Sequence, residues 1–321
     1  MRHSLLCCII SCCIAVSTIS TFASPPPVDY QNTSSQSNSN QNTITNAPIK
    51  TVNVADQQLL RIVTPTLEKS SQSHDIYFLQ LLQLILKKTE ATDGPFTVDQ
   101  CKERYTGKRF ISELARDDGA INIIWTMNDR KRDQELLPIK ISLLKGMNSY
   151  RVFLIRKADQ EKFHKIHTIK DLSQYSAGLG ANWPDTPIMQ SNGLSVITSA
   201  HYELLFTMLA AKRFDYFPRG VYEPWDELAM HQEKDLVVED SIMLHYPAPI
   251  YFFVNRKDVK LANRIERGLK IAIEDGSFDQ LLFSIPAFKK GFEEMRNPSR
   301  RLLNLNADTP NNGHDQDPNL E

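Results

Sequence analysis

The chain has 321 residues, 41% of them hydrophobic, and 37 basic against 38 acidic side chains leave a formal charge of -1. That apolar content can bury a large core in one large or two medium domains. Near-neutrality excludes a global field that would draw the protein to nucleic acid or to an anionic membrane.

The first 23 residues combine Arg2, an apolar stretch from Leu5 to Ile19, and small residues around Thr21-Phe22-Ala23-Ser24. This is the pattern of a secretory signal peptide cleaved near Ala23, which predicts export to the periplasm. A retained anchor and a lipoprotein acylated on Cys12 are the alternatives. Four of the five cysteines, Cys7, Cys8, Cys12 and Cys13, belong to this leader, so Cys101 stands alone in the mature chain. No internal disulfide is then available, and stability must come from core burial.

Residues 24–51 are rich in Ser, Asn, Gln, Thr and Pro and read as a disordered linker. Periodic structure is expected from about 52 to 300, with 301–321 a disordered tail. Within the folded part, Leu60-Arg61-Ile62-Val63 reads as a strand, followed by a helix with Phe78, Leu81, Leu82 and Ile85 on one face. A short helix around Phe110, Ile111 and Leu114 leads to a buried strand at 121–125, rich in β-branched residues. Strands follow at Val152–Ile155, Ser176–Gly180 and Val196-Ile197. Thr186 and Pro187 read as cap and first residue of a short helix that Gly193 closes. Tyr202, Leu205, Phe206, Leu209 and Ala210 mark a helix face, Phe214–Phe217 a strand, and Pro218-Arg219-Gly220 a turn. Ile250–Val254 is the last apolar strand, before a helix carrying Leu261, Ile265, Leu269 and Ile273. Such alternation implies an α/β fold with parallel sheets.

The segments GLGANWPDTPIMQSNG, YELLFTMLAAKRFDYF and PRGVYEPWDEL, spanning Gly178 to Leu228, resemble the family 3 extracellular solute-binding proteins, the periplasmic components of polar amino acid transporters. Trp125-Thr126-Met127-Asn128-Asp129-Arg130 followed by LLPIKISLLKG is similar to that family's strand, arginine and hinge segment. The resemblance covers roughly residues 55–290. It implies a two-lobed periplasmic binding protein-like (type II) fold with two hinge-crossing strands, residues 52–150 and 250–300 forming one lobe and 151–249 the other. The crossings fall near Tyr150-Arg151 and Tyr246-Pro247, with the ligand in the interlobe cleft.

On that footing Arg130 matches the family's carboxylate-binding arginine, although Met127 stands where the family has threonine, and Thr126 is the substitute. The alternative is that Arg130, Lys131 and Arg132 form one solvated basic turn. Asn182 and Trp183 lie in the loop the family uses for the ligand carboxylate, next to Asp185, which reads as a second cap or a cleft residue. Tyr77 and Trp125 are candidates to stack on a ligand or to fill the core. Arg219 replaces the family's ammonium-binding aspartate, so two guanidiniums, Arg130 and Arg219, suit a ligand with two anionic groups unless Arg219 is paired with Glu223. His164 and His167 form no metal signature. There is no nucleophile elbow and no phosphate loop, so neither catalysis nor a cofactor is predicted. The expected function is capture of a small polar, carboxylate-bearing molecule by a monomer that serves a membrane transporter or sensor. An enzyme on the same fold, of the dehydratase kind, and a binding-protein fold used as a protein-interaction module are the alternatives.

Overall fold

The computed structural model describes residues 59–66, 73–103 and 107–307. The segments expected to be a signal peptide and a linker, and residues 308–321 of the expected tail, lie outside the described residues.

The chain begins with β1 (Leu60–Thr64), α1 (Ser73–Lys88), α2 (Glu90–Asp93), β2 (Phe96–Gln100), α3 (Gly107–Ala115), β3 (Ile123–Met127), α4 (Arg130–Glu135) and β4 (Leu136–Ile139). β1 and β2 pair in parallel. Asn122 joins them to β3: its backbone N–H donates to Val63 O, and its side-chain carbonyl accepts from Val63 N. A later strand, β11, returns to run antiparallel between β3 and β4. These strands and their helices make the first lobe.

The second lobe contains β5 (Tyr150–Arg156), α5 (Gln160–Phe163), α6 (Ile169–Leu172), β6 (Ser176–Gly180), α7 (Asp185–Ser191), β7 (Ser195–Ser199), α8 (Tyr202–Ala210), β8 (Tyr216–Gly220), α9 (Pro224–Met230), β9 (Leu236–Val238) and β10 (Ile242–His245). The chain then re-enters the first lobe through β11 (Ile250–Asn255), α10 (Val259–Glu274), α11 (Ser277–Leu282) and α12 (Pro286–Met295). It ends in β12 (Arg301–Asn304), which pairs in parallel with β10. The second sheet has the order β12-β10-β5-β8-β6-β7, with β9 also on β5.

Side-chain periodicity explains why β11 is central. Its residues alternate between two cores, Phe252 and Val254 packing with α1 and α10, and Tyr251 and Phe253 with α3. On α1 the positions Tyr77, Leu81, Leu82 and Ile85 are fully buried, the spacing of one helix face. Asp258 caps α10 by accepting from Leu261 N at 3.0 Å. In the second lobe, Phe153 and Ile155 of β5 face one core and Leu154 the other.

The two crossings lie side by side. Tyr246 N donates to Ser149 O, Ala248 N to Ser149 Oγ, and Asn148 Nδ2 to Ala248 O at 2.7 Å.

Three sequence expectations change. The sheets are mixed and not purely parallel, because β5 and β11, which enter from the crossings, run antiparallel to their neighbours. The turn predicted at 218–220 is strand: β8 pairs with β5 through Gly220, with Pro218 opposite Phe153. The tail predicted from 301 starts later, since Arg301–Asn304 satisfies the free edge of β10 and Leu303 is buried there. The polar composition around that strand hides it from a hydropathy reading.

Candidate functional site

The carboxyl end of β3 and the start of α4 carry a cavity of about 220 Å³. Its walls are Pro65 after β1, Phe110 and Ile111 from α3, Ile124, Trp125 and Thr126 from β3, and Arg132 from α4. Trp125 is held by stacking on Phe78, with ring centroids 5.7 Å apart, and by an edge contact with Phe252. Asp129 caps α4, accepting from Arg132 N at 2.8 Å, and also pairs with the Arg132 guanidinium. The same guanidinium nitrogen, Nη1, also donates to Met127 O at 3.2 Å. The Nε of Arg132 is buried without a hydrogen-bond partner. A buried donor left unmade costs about 1–3 kcal/mol, so an acceptor arriving there regains that cost.

The cavity therefore presents Arg132, not Arg130. Arg130 is the first residue of α4 and its side chain is exposed. The cap-to-arginine spacing was readable: three residues before Arg132 stands Asp129, a good cap, whereas three before Arg130 stands Met127. Thr126 and Trp125 lie in the wall as residues of β3. Tyr77 does not reach it. It is fully buried in the first-lobe core, its hydroxyl donating to Leu143 O at 2.8 Å and its ring packed edge-on against Phe288.

In the second lobe the carboxyl ends of β6 and β8 hold a closed cluster around Arg219. Being on a strand, Arg219 is held inward, and its guanidinium donates to both Glu227 oxygens, at 2.8 and 2.9 Å from Nε, and to Glu223 at 2.8 Å. The rings of Trp183, Tyr202 and Phe217 surround it at 4.9–5.4 Å from their centroids. Burial by itself would lower the Arg219 pKa, but Glu223 and Glu227 outweigh it and hold the group charged. Burial, with Glu227 accepting from the phenol at 2.6 Å, pushes Tyr202 up. Trp183 folds back over Gly180, where a Cβ would lie 2.4 Å from the indole. Asn182 is exposed at the tip of the same loop.

Asp185 neither caps α7 nor faces an opening. Its carboxylate takes Arg151 at 2.8 Å and the Tyr246 hydroxyl at 2.5 Å, which ties α7 to both crossings. Burial would raise the Asp185 carboxyl, yet Arg151 and Tyr246 together hold it below the usual range. Thr186, inside α7, donates to Gly180 O, and Gly193 follows the helix with φ +77°.

His164 lies near Glu239 and Asp240, but Glu239 already accepts from Ser241 N, Ile242 N and Gln160, and His167 is not in the group. Among the described residues no helix is long and apolar enough to cross a membrane.

Comparison with solved structures decides the fold. An ancestral arginine-binding protein bound to arginine superposes with TM-score 0.51 at 13% identity, over 71% of this chain and 97% of that one. An arginine-specific periplasmic binding protein of Salmonella typhimurium gives 0.52 at 14% identity over 71% and 99%. The fold is that of the two-lobed periplasmic binding proteins. A protein described for glutathione import in Gram-positive bacteria, in work on Streptococcus mutans, gives 0.54 at 14% over 71% and 95%. At these identities the shared property is the fold. No known family's sequence profile matches the chain, and no curated protein matches it.

Proposed function

We propose that this two-lobed protein is an exported, periplasmic solute-binding protein that captures a small carboxylate-bearing molecule at the first-lobe cavity and presents it to a membrane transporter or sensor. The observation that carries this reading is Arg132: a guanidinium with a buried, unpartnered Nε, just past the carboxyl end of β3, beside a cavity of about 220 Å³. The carboxyl ends of strands are where α/β sheets bind ligands. With Nη1 held by Asp129 and Met127 O, the unpartnered Nε is the donor left for a carboxylate oxygen.

In this reading Trp125 and Thr126 form the wall behind the ligand, and Asn182 on the exposed second-lobe loop comes over it as the lobes close. Arg219 and Glu223 serve differently from the sequence expectation. They neutralise each other, with Glu227, so Arg219 supplies no second anion site and the ligand needs a single carboxylate.

The test is identification, by native mass spectrometry, of what co-purifies with the protein, followed by calorimetry with that compound on wild type and Arg132→Gln. A stoichiometric carboxylate whose binding Arg132→Gln abolishes is the expected result. Turnover of the compound, or binding indifferent to Arg132, overturns the reading.

A further inference from the structure

Resting on the reading of the Arg132 cavity as the ligand site, we infer that the molecule it takes is a carboxylate with an apolar or aromatic body and no ammonium group, in contrast to a free amino acid. Among the described residues that line the cavity, Arg132 is the one charged side chain. The other described lining residues offer hydrocarbon and aromatic surface, apart from the Thr126 hydroxyl. An ammonium has three donors and needs acceptors for them, and burying it against such a wall strips water without replacing it.

Among the described residues, four carboxylates near these strand ends already hold cations. Asp129 beside the cavity both caps α4 and pairs with Arg132. At the carboxyl ends of the second-lobe strands, Glu223 and Glu227 share Arg219, and Asp185 is held by Arg151 and Tyr246. Withdrawing any of these to meet an ammonium would leave a buried guanidinium without its partner, which costs more than the new contact returns. Arg219 already fills the three-ring cage as a cation, so that cage is not vacant for another.

Size points the same way. A cavity of about 220 Å³ has room for a ring or a short branched chain on the carboxylate.

Calorimetry with three matched probes tests this on the purified protein: 3-phenylpropanoate, L-phenylalanine, which adds only the ammonium, and 3-phenylpropanamide, which removes only the charge. Succinate and L-glutamine complete the panel as polar carboxylates. 3-Phenylpropanoate is expected to bind at least tenfold more tightly than each of the other four, and Arg132→Gln, checked for folding by its thermal melt, is expected to lose it. L-Phenylalanine, succinate or L-glutamine binding as tightly as 3-phenylpropanoate overturns the inference and leaves the carboxylate-capture reading standing. The amide binding as tightly as the acid overturns the role of Arg132 and both readings with it, as does failure of all five to bind. The amide comparison uses wild type alone, so it decides even if Arg132→Gln does not fold.

Discussion

Replacing Glu227 by glutamine removes one charge from the most enclosed ion cluster in the second lobe while keeping the side chain's size. Glu227 is fully buried, and Arg219 is 8% exposed at its side chain. Breaking a buried pair by neutralising one partner costs about 3–5 kcal/mol, because the other charge stays desolvated. Here Glu223 remains 2.8 Å from the guanidinium and is 18% exposed, so part of the compensation survives. The expected cost is therefore at the lower end, about 3 kcal/mol, or a fall in melting temperature of roughly 6–12 °C for a domain of this size. Arg219→Ala should cost at least as much, since it leaves two carboxylates together and empties the three-ring cage. The double replacement Arg219→Met with Glu227→Leu should cost less than either single change. Urea unfolding of the three variants, followed by far-UV circular dichroism, measures all of this. A Glu227→Gln cost under about 1 kcal/mol, or a double variant worse than both singles, would refute the picture of Arg219 as an internally neutralised cation.

Asp185 gives a pH signature. Its folded pKa is depressed, so its contribution is present above the ordinary carboxylate range near 3.8 and is lost as pH falls through the lower folded value. Asp185→Asn should therefore be destabilised by about 3 kcal/mol at pH 7 and converge on wild type in acid, and urea midpoints that keep a constant gap down to pH 3 would contradict this. Gly180→Ala places a Cβ 2.4 Å from the Trp183 ring, and the displaced indole should cost about 1–3 kcal/mol with a red-shifted emission; unchanged fluorescence would show that the loop yields elsewhere. Closure about the paired crossings at Ser149 and Tyr246 should reduce the radius of gyration when a bound carboxylate saturates the site, and an invariant small-angle scattering curve would argue against a clamp.

Several elements were legible from sequence because a local pattern was sufficient. β6 at Ser176–Gly180 follows the predicted span, β1 and β11 extend it by a residue, and α1 and α10 show their buried faces at helical spacing. The resemblance carried by residues 178–228 pointed to the two-lobed fold that the solved structures share. What sequence could not determine were the choices between partners far apart in the chain. The Asp129 cap spacing distinguishes Arg132 from Arg130 as the arginine tied to the start of α4, but only the packing of α3 against β3 places a cavity beside it. Tyr77 and Trp125 are both aromatic neighbours of core elements, yet Phe288, brought back from the end of the chain, buries one while the other keeps an open side. For Arg219 the sequence left a ligand role and pairing with Glu223 both open and did not show Glu227, on a different element, as its second partner, while Asp185 read as a cap or a cleft residue because Arg151 and Tyr246 reach it only when the crossings align. Periodicity reports which face of an element is buried; which charge meets which is a property of tertiary contact, because a buried ion is stable only beside a partner that the chain brings from elsewhere.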